Sequence, residues 1–414
     1  MNDLYNSLKE AWKSLAANKM RTFLTTLGIM IGIATVILVL SAGAGFRNLI
    51  NDQLAAFGTN TLYLQTKVPS NNKNLAASEN TGSGIVITTL NQRDLDVVKK
   101  LPNVVNDYGM VMGQSVASYR SNQKNAVYLG ASAARFEIDQ STLKSGRFYT
   151  AAEDSGGAQV VILGNKIAAD LFKQDEPLGK LVRIGSLNFS VIGVYNPSSG
   201  LGGGNDDYLF IPLNTAQKKM LGINYLVEAV VQIKDLKLSD LTAADIGAAI
   251  RHDHGITDPL KDDFLVTTQA QILDIFNTIF NSITILLIAI AAISLIVGGV
   301  GIMNIMYVAV TERTSEIGLK KALGAKKYNI LQEFLIESVL VTLLGGFIGI
   351  LFGAFLSWLV TLVAIKSGLA WTYSLPLYAI GIGFGVSALI GISFGVLPAL
   401  NAAKLNPIEA LNHE

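Results

Sequence analysis

Two groups of side chains in this sequence have the types and spacing that hydrolase or metal chemistry uses. Gly391, Ser393 and Gly395 match the G-x-S-x-G pattern, whose serine is a nucleophile on a strand-to-helix turn and needs a partner histidine. Here the pattern lies inside a long apolar run that a helix would carry across a membrane. We therefore interpret it as a chance match that predicts no catalytic serine.

A metal site would have to use His252 and His254 with Asp253 and Asp258. Two histidines two residues apart in a loop, with no third firm ligand, are a weak signal for a metal site. The chain has three histidines, no cysteine and no H-E-x-x-H sequence, which argues against a metalloprotease, a disulfide or a thiolate site. We expect no catalytic, metal-binding or cofactor-binding residue in this chain.

The sequence also lacks the motif for binding nucleotide phosphates and the basic excess typical of nucleic-acid binding. No G-x-x-x-x-G-K-[ST] loop occurs, so ATP would have to be bound by another chain. The formal net charge of +1 lacks the basic excess that nucleic-acid binding requires. The chemistry of the system is therefore expected to lie in a partner.

The segments of this chain are divided between membrane and water. Half of the residues are hydrophobic, 15% are charged and the mean hydropathy is +0.42, which suits neither a soluble enzyme nor a channel with many spans. Four segments can span a bilayer, namely 22–42, 283–310, 334–365 and 377–400. The predicted fold is therefore a membrane protein of four transmembrane α-helices, with a large α+β extracytoplasmic domain inserted between helices 1 and 2.

Basic residues predict the orientation, because short loops rich in lysine and arginine stay in the cytoplasm. Such residues precede the first span, separate the second from the third and follow the fourth: Lys9, Lys13, Lys19, Arg21, Arg313, Lys320, Lys321, Lys326, Lys327 and Lys404. Both termini of this cell-membrane protein are therefore expected in the cytoplasm. A cleaved signal peptide is the alternative for the first span, but the apolar run is too long for one.

The predicted order along the chain is a cytoplasmic amphipathic helix (1–21), the first span and stalk (22–58), the extracytoplasmic domain (59–267), the stalk and second span (268–310), a cytoplasmic coupling segment (311–333), the third span (334–365), an external loop (366–376), the fourth span (377–400) and a cytoplasmic tail (401–414). The amphipathic helix, from Leu4 to Leu15, either anchors the first span or contacts the partner.

The domain between the first two spans mixes strand and helix patterns. Strands are predicted at 61–65, 85–88, 160–163, 181–184, 189–195, 208–211, 227–233 and 264–267. Helices are predicted at 91–101, 165–172, 214–221 and 239–251. Residues 125–212 are predicted to form a strand-rich subdomain, and the glycine-rich stretch 198–207 a flexible loop.

Two of the spanning helices are longer than a bilayer requires. Thr268 to Val310 is 43 residues, a helix of about 65 Å against about 30 Å of hydrocarbon. The first span likewise continues at helical spacing as far as Gly58. We predict that both extensions form a stalk outside the membrane, with Phe46, Ile50, Phe57, Ile272, Phe276 and Ile279 as its apolar residues.

Small and polar residues inside the spans predict close helix contacts. Gly345, Gly349 and Gly353 in the third span, and Gly391 and Gly395 in the fourth, have small-xxx-small spacing. This spacing fits packing within one subunit and a dimer seam equally well. Within the second and third spans, Asn304 and Glu337 are expected to find interhelical hydrogen-bond partners.

The segment from Thr311 to Asn329 joins the second and third spans. Glu316 and Lys320 have the i,i+4 order that stabilises a helix. Ile317 and Leu323 give this helix a small apolar face, together with Leu319 and Ala322, and Gly324 is expected to end it. The residues alone allow either a solvated helix or a docking element.

Four stretches strongly resemble the MacB/FtsX-type permeases of ABC transporters: NKMRTFLTTLGIMIGIATVI (18–37), SLIVGGVGIMNIMYVAVTERTSEIGLKKALGA (294–325), QEFLIESVLVTLLGGFIGILFG (332–353) and LPALNAAKLNPIEAL (397–411). They resemble the MacB type more than the lipoprotein-releasing or cell-division members. The resemblance implies that the coupling segment docks on an ATPase, with Glu316, Ile317, Lys320 and Leu323 as its docking residues.

The resemblance also implies the partners and the mechanism. Two copies would pair as a homodimer in membrane lipid, and ATP-driven movement of the ATPases would reach the external domains through the stalk by mechanotransmission. MacB carries its ATPase at the N-terminus of the same chain, whereas Met1 here is followed at once by the amphipathic helix, so a separate ABC ATPase subunit is expected. A MacA-like extracytoplasmic adaptor is a further candidate partner.

Two functions are compatible with these features. The first is the permease subunit of a MacB-like transporter that drives efflux or extrusion of peptides, antibiotics or similar compounds. The alternative is a non-transporting, FtsX-like transmembrane regulator of a cell-wall hydrolase or sensor kinase. Neither makes this chain an enzyme, and its residues do not identify a substrate.

Overall fold

The computed structural model describes residues 19–56, 60–69, 86–139, 142–197 and 205–411. Three predictions fall outside these ranges: the amphipathic helix from Leu4 to Leu15, the stalk residue Phe57 and most of the glycine-rich loop, residues 198–204.

The chain divides into two compact units. The membrane unit comprises Met1–Asn48, Asn277–Ser367 and Trp371–Glu414. The α+β unit comprises Leu49–Phe276 and Gly368–Ala370.

The described helices are α1 Lys19–Ala56, α2 Gln92–Val98, α3 Arg135–Ile138, α4 Ala151–Ser155, α5 Asn165–Phe172, α6 Leu213–Thr215, α7 Ser239–His254, α8 Gln269–Glu312, α9 Thr314–Ala322, α10 Lys327–Lys366, α11 Leu377–Lys404 and α12 Pro407–Leu411. The described strands are β1 Thr61–Thr66, β2 Val104–Tyr119, β3 Asn122–Ala131, β4 Leu143–Gly146, β5 Val160–Leu163, β6 Leu181–Ile184, β7 Leu187–Tyr195, β8 Tyr208–Pro212, β9 Glu228–Ile233 and β10 Phe264–Thr268.

Four of the described helices are long and apolar enough to cross a membrane, and they contain the four predicted spans. They are α1 (from Thr26 to Gln53), α8, α10 and α11. Their contact surface is formed by buried aliphatic side chains such as Ile29, Ile33 and Ile37 of α1. The predicted fold class, four spanning helices with a large α+β domain between the first and the second, is confirmed.

Glycines let α10 approach α1 and α11 of the same chain. A Cβ atom on Gly349 would lie 2.8 Å from the carbonyl oxygen of Met30, and one on Gly353 would meet α1 equally closely. A Cβ atom on Gly391 would lie 2.8 Å from Cα of Val339 in α10. The sequence allowed these glycines to serve packing within one subunit or a dimer seam. The structure shows packing within one chain. The G-x-S-x-G serine lies inside α11, away from any strand-to-helix turn.

The α+β unit is built on one ten-stranded sheet. The strand order is β10-β1-β9-β2-β3-β8-β5-β7-β4, and β6 pairs with β2 and β7. The main core lies on the face that α2, α5 and α7 cover, where Leu95, Leu171 and Ile250 are fully buried. The predicted strand-rich stretch 125–212 is joined to β2 by the long β2–β3 hairpin and by the pairing of β6 with β2.

Three local features differ from the sequence prediction. Residues 86–88, predicted as a strand, have no regular structure in the part that is described. The long strands β2 and β3 were not predicted, because Asn, Gly and Ser residues interrupt their apolar alternation. The predicted helix 214–221 is the short α6 followed by a π-helical turn, Ala216–Leu221.

A histidine joins three elements of the α+β unit. Nδ1 of His254 lies 2.9 Å from Oδ1 of Asp263, just before β10, and Nε2 lies 3.1 Å from Oδ1 of Asp94 in α2. Burial lowers the pKa of His254, but the hydrogen bonds and charges of Asp263 and Asp94 outweigh it and raise that pKa above its ordinary value. Among the described residues, no cluster of three or more His, Cys, Asp or Glu could hold a metal. His254 thus connects the end of α7 to α2 and to the residue before β10.

We predict that the α+β unit loses stability as the pH rises from near neutral. Folded His254 binds its proton more tightly than unfolded His254, so the stabilisation is complete below the ordinary pKa of 6.5 and is lost as the pH passes the raised pKa. The urea midpoint of the detergent-solubilised chain should therefore fall as the pH rises above 6.5. His254→Gln should flatten this profile, and His252→Gln, at an exposed position, should keep it. Identical profiles for the two variants would contradict the assignment.

Candidate docking surface and stalk segments

The coupling segment forms a short helix directly after a spanning helix. Helix α8 ends at Glu312, Arg313 breaks the helical backbone with φ −105° and ψ 18°, and α9 begins at Thr314. Gly324, with φ +100°, follows the last residues of α9 and takes a conformation that favours glycine. The predicted exposed helix with a glycine stop is therefore present.

Burial separates the apolar residues of α9 into two sets. Ile317 is only 3% exposed and packs in the core of the membrane unit, whereas Leu319 and Leu323 are 54% and 81% exposed. Glu316 is also exposed. Ile317, one of the four residues predicted to dock, therefore packs inside the chain, and the docking role of this face stays a prediction. We call Glu316, Leu319 and Leu323, with the half-buried Lys320 beside them, the docking surface.

Ion pairs hold α9 to the third span. Nζ of Lys320 donates a hydrogen bond to Oε1 of Glu333 at 2.7 Å. Arg313, at the break before α9, donates to Oε2 of Glu337 at 3.2 Å, and Glu337 is 5% exposed. Glu337 thus has the polar partner that its position inside a predicted span required. Both pairs join α9 and its connection to α10.

A lysine also ties α9 to the end of the fourth span. Nζ of Lys321 donates to the backbone carbonyl oxygens of Ala403 and Leu405, at 2.7 and 2.6 Å. These carbonyls are at the C-terminus of α11, where a helix leaves acceptors unsatisfied and a positive charge is favourable. Because α12 also packs against α9, the docking surface is fixed to the spanning helices.

Within the membrane unit, α1 and α8 are in contact near the predicted stalk. The rings of Phe46 and Phe280 are 3.8 Å apart between centroids, and Phe46 lies 6.5 Å from the ring of Trp371. Arg47 donates a hydrogen bond to the Asn281 side chain at 2.9 Å. Two segments that are far apart in sequence are therefore paired side by side at this level.

The predicted stalk residues belong to both units. Phe46 and Ile279 belong to the membrane unit, and Ile279 is 48% exposed. Ile50, Ile272 and Phe276 belong to the α+β unit, where Ile50 is buried. The position of these residues relative to a membrane stays a prediction.

The sequence did not reveal several residues of this site. Leu319 was assigned to the apolar face but not to the docking set, and Lys321 was counted only as a loop charge. The contacts of Lys320 with Glu333 and of Arg313 with Glu337 join separate helices, so helical spacing could not show them. Asn304, predicted to bond between helices, lies on an exposed side of α8.

Comparison with known proteins identifies two families along the chain. Residues 22–249 match the MacB-like periplasmic core domain, and residues 288–407 match the FtsX-like permease C-terminal region. The macrolide export ATP-binding/permease protein MacB of Bdellovibrio bacteriovorus is 35% identical over 100% of this chain and 62% of that protein. The pyoverdine export ATP-binding/permease protein PvdT of Pseudomonas entomophila is 33% identical over 100% of this chain and 60% of that protein.

The chain thus spans about 60% of the length of these relatives. Among solved structures, the periplasmic region of MacB from Actinobacillus actinomycetemcomitans is similar, with a TM-score of 0.45 and 21% identity over 55% of this chain and 97% of that one.

Proposed function

The chain belongs to the MacB/FtsX-like permease family, and from this premise we propose that it is the membrane subunit of an ABC exporter whose ATPase binds the docking surface on α9. The 414 residues contain no P-loop sequence, so ATP hydrolysis takes place outside this sequence. The relatives are named for export of a macrolide or of pyoverdine, which favours export of small molecules over a purely regulatory role.

The exposure of Leu319 and Leu323 is the observation that carries this proposal. Two leucines, 54% and 81% exposed, lie four residues apart on α9 and at its C-terminal end, beside charged Glu316 and Lys320. A neighbouring apolar pair with a charged rim is typical of a surface that another protein covers. Their helix is bonded to α10 and α11, so a force applied to it would reach the spanning helices.

The proposed mechanism uses α8 as a continuous rod. This helix has 44 residues and a length of about 66 Å, and it runs from the end of β10 to the break before α9. Closure of two ATPases would shift α9 and the helices bonded to it, and α8 would pass this shift to the α+β domain outside the cytoplasm. The working unit we propose is a homodimer in membrane lipid, with both termini cytoplasmic and with a MacA-like adaptor as a candidate external partner.

The docking surface predicts a specific loss of ATPase binding. Replacing Leu319 and Leu323 together by Asp should weaken binding at least about 30-fold, because burying two charges costs more than about 2 kcal/mol at an interface. Co-purification of the ATPase with tagged chain, and the ATPase activity of the complex, measure this effect. The control replaces Leu236 and Leu241, which are 52% and 59% exposed in the α+β unit, by Asp. A complex that survives the first change, or is lost equally with the second, would rule out this docking surface.

A further inference from the structure

The α+β unit contains a cavity of about 520 Å³ that none of the features above uses. It lies on one face of the sheet, against the first two turns of α8, and its lining includes Tyr63, Tyr108, Met110, Glu228, Ile275 and Phe276. Cavities of roughly 300–1,000 Å³ with a mostly apolar lining and a few polar groups are the usual form of small-molecule sites. The cavity therefore has the size of a ligand site.

Strand pairing places the lining residues in two rows across four strands. One row is Thr267, Tyr63, Val230 and Tyr108, and the next is Leu265, Gln65, Glu228 and Met110. Residues of the alternate set, such as Leu64 and Val231, point to the other face and are fully buried in the main core. The rows thus form the face of the sheet opposite the main core, where a strand in contact with water would carry polar side chains.

This second face is apolar and only partly covered. Met112, Leu265 and Ile275, which all line the cavity, are 50%, 38% and 56% exposed. Exposed apolar side chains gathered around a concave site lose contact with water when an apolar molecule binds there. The walls therefore favour a guest with an apolar body.

The charged side chains at the cavity, Arg135, Asp139 and Glu228, sum to one net negative charge. Arg135 is 3% exposed, and its Nε donates to Oδ2 of Asp139 at 2.7 Å, which neutralises this pair. The guanidinium also lies 4.6 Å from the ring centroid of Phe210, and Tyr108 donates to Asp139 at 3.2 Å. Nη1 of Arg135 has no hydrogen-bond partner among the described residues, but it is buried from solvent. In this packing the guanidinium therefore pairs with Asp139 and does not face a guest in the cavity.

Among the described residues of the lining, Glu228 is the one acidic side chain. Gln65 hydrogen-bonds to its carboxylate. Burial raises the pKa of Glu228, although this bond and the charge of Arg135 oppose the rise. A positive charge placed beside a partly buried carboxylate relieves the cost of its burial.

We propose that this cavity binds an apolar organic cation, with its ammonium group at Glu228 and its apolar body against Tyr63, Met110 and Ile275. An anion of the same shape would face Glu228 and an arginine already paired with Asp139. A neutral molecule would keep the apolar contacts and lose the charge recognition. The role of this cavity as the place where cargo is recognised rests on the proposed export function, whereas binding itself does not.

Photolabelling of the full chain in lipid nanodiscs tests the proposal. Three benzophenones of one size carry an aminomethyl, a hydroxymethyl or a carboxylate group, and their excited ketone inserts preferentially into methionine C–H bonds. The amine should label Met110 and Met112 at least about 10-fold more than the carboxylate, since one ion pair in a partly buried site changes binding by about that factor. The alcohol should fall between the two. Mass spectrometry of the 104–119 strand gives the yield at each methionine.

Glu228→Gln should remove the preference for the amine, and Glu137→Gln, at an exposed carboxylate outside the cavity, should retain it. Ile275→Trp, at a half-exposed position of the lining, should lower labelling by all three probes and keeps the test decisive if Glu228→Gln is unstable. Stronger labelling by the carboxylate, equal labelling by all three, or labelling that neither cavity variant changes would each overturn the proposal. The ATPase is absent from this assay, so a failed docking model would leave its result unaffected.

Discussion

Gly349→Leu is expected to prevent the membrane unit from packing. A Cβ atom at this position would lie 2.8 Å from the carbonyl oxygen of Met30 and 3.0 Å from Cβ of Ile33, both in the first spanning helix. Neither atom belongs to a flexible side-chain end, so α10 and α1 would have to separate. Overpacking a fixed core costs about 1–3 kcal/mol, and a four-carbon side chain between two backbones should reach the top of this range or exceed it.

The yield of monodisperse chain in detergent and its thermal unfolding midpoint measure this change. Gly381→Leu provides the matched control, because Gly381 lies in the spanning helix α11 and a Cβ atom there would meet nothing within 4 Å. The control should fold as well as the parent chain, since leucine favours a helix over glycine by roughly 1 kcal/mol. A Gly349→Leu chain as stable as this control would mean that α1 and α10 do not touch at this glycine.

Ile317→Asp should destabilise the membrane unit as a whole, whereas Leu323→Asp should leave its stability unchanged. Ile317 is 3% exposed and contacts the cluster that includes Ile330 and Ala402. Aspartate there loses the buried isoleucine and places a carboxylate in an apolar site, at a combined cost of at least about 4 kcal/mol. Leu323 is 81% exposed, and exposed substitutions usually change stability by less than about 0.5 kcal/mol.

These two substitutions separate folding from docking. Thermal unfolding in detergent should show a large loss for Ile317→Asp and almost none for Leu323→Asp, while ATPase co-purification should fall for both. If the Ile317→Asp chain kept the thermal unfolding midpoint of the parent chain, α9 could not be packed as the structure shows. Ile317 would then be assigned to the docking surface.

In the α+β unit, some strands could be predicted from the sequence and others could not. Strands β5, β6 and β10 are short apolar runs and were predicted, because each carries its signal within a few residues. The hairpin of β2 and β3 was missed, since it is held by a long register of backbone hydrogen bonds from Met110–Ala131 to Tyr119–Asn122, to which polar and glycine residues contribute as well as apolar ones. The cavity could not be predicted at all. Its rows combine β10, β1, β9 and β2, which are adjacent only after the sheet has formed.

The sequence by itself determined the four spans, the α+β domain between the first two of them, the short helix α9 after the second span and the family. Bilayer length, hydropathy, glycine stops and family motifs are all local properties of the chain, and each can be measured on a continuous segment. The tertiary structure decided which side of each element is covered. Ile317 is buried and Leu323 exposed because the end of α11 and the start of α10 pack on one side of α9. Gly349 faces α1 for the same kind of reason. Such burial depends on residues that are far away in the chain. The spacing of residues within one helix does not indicate which of those residues will pack against it.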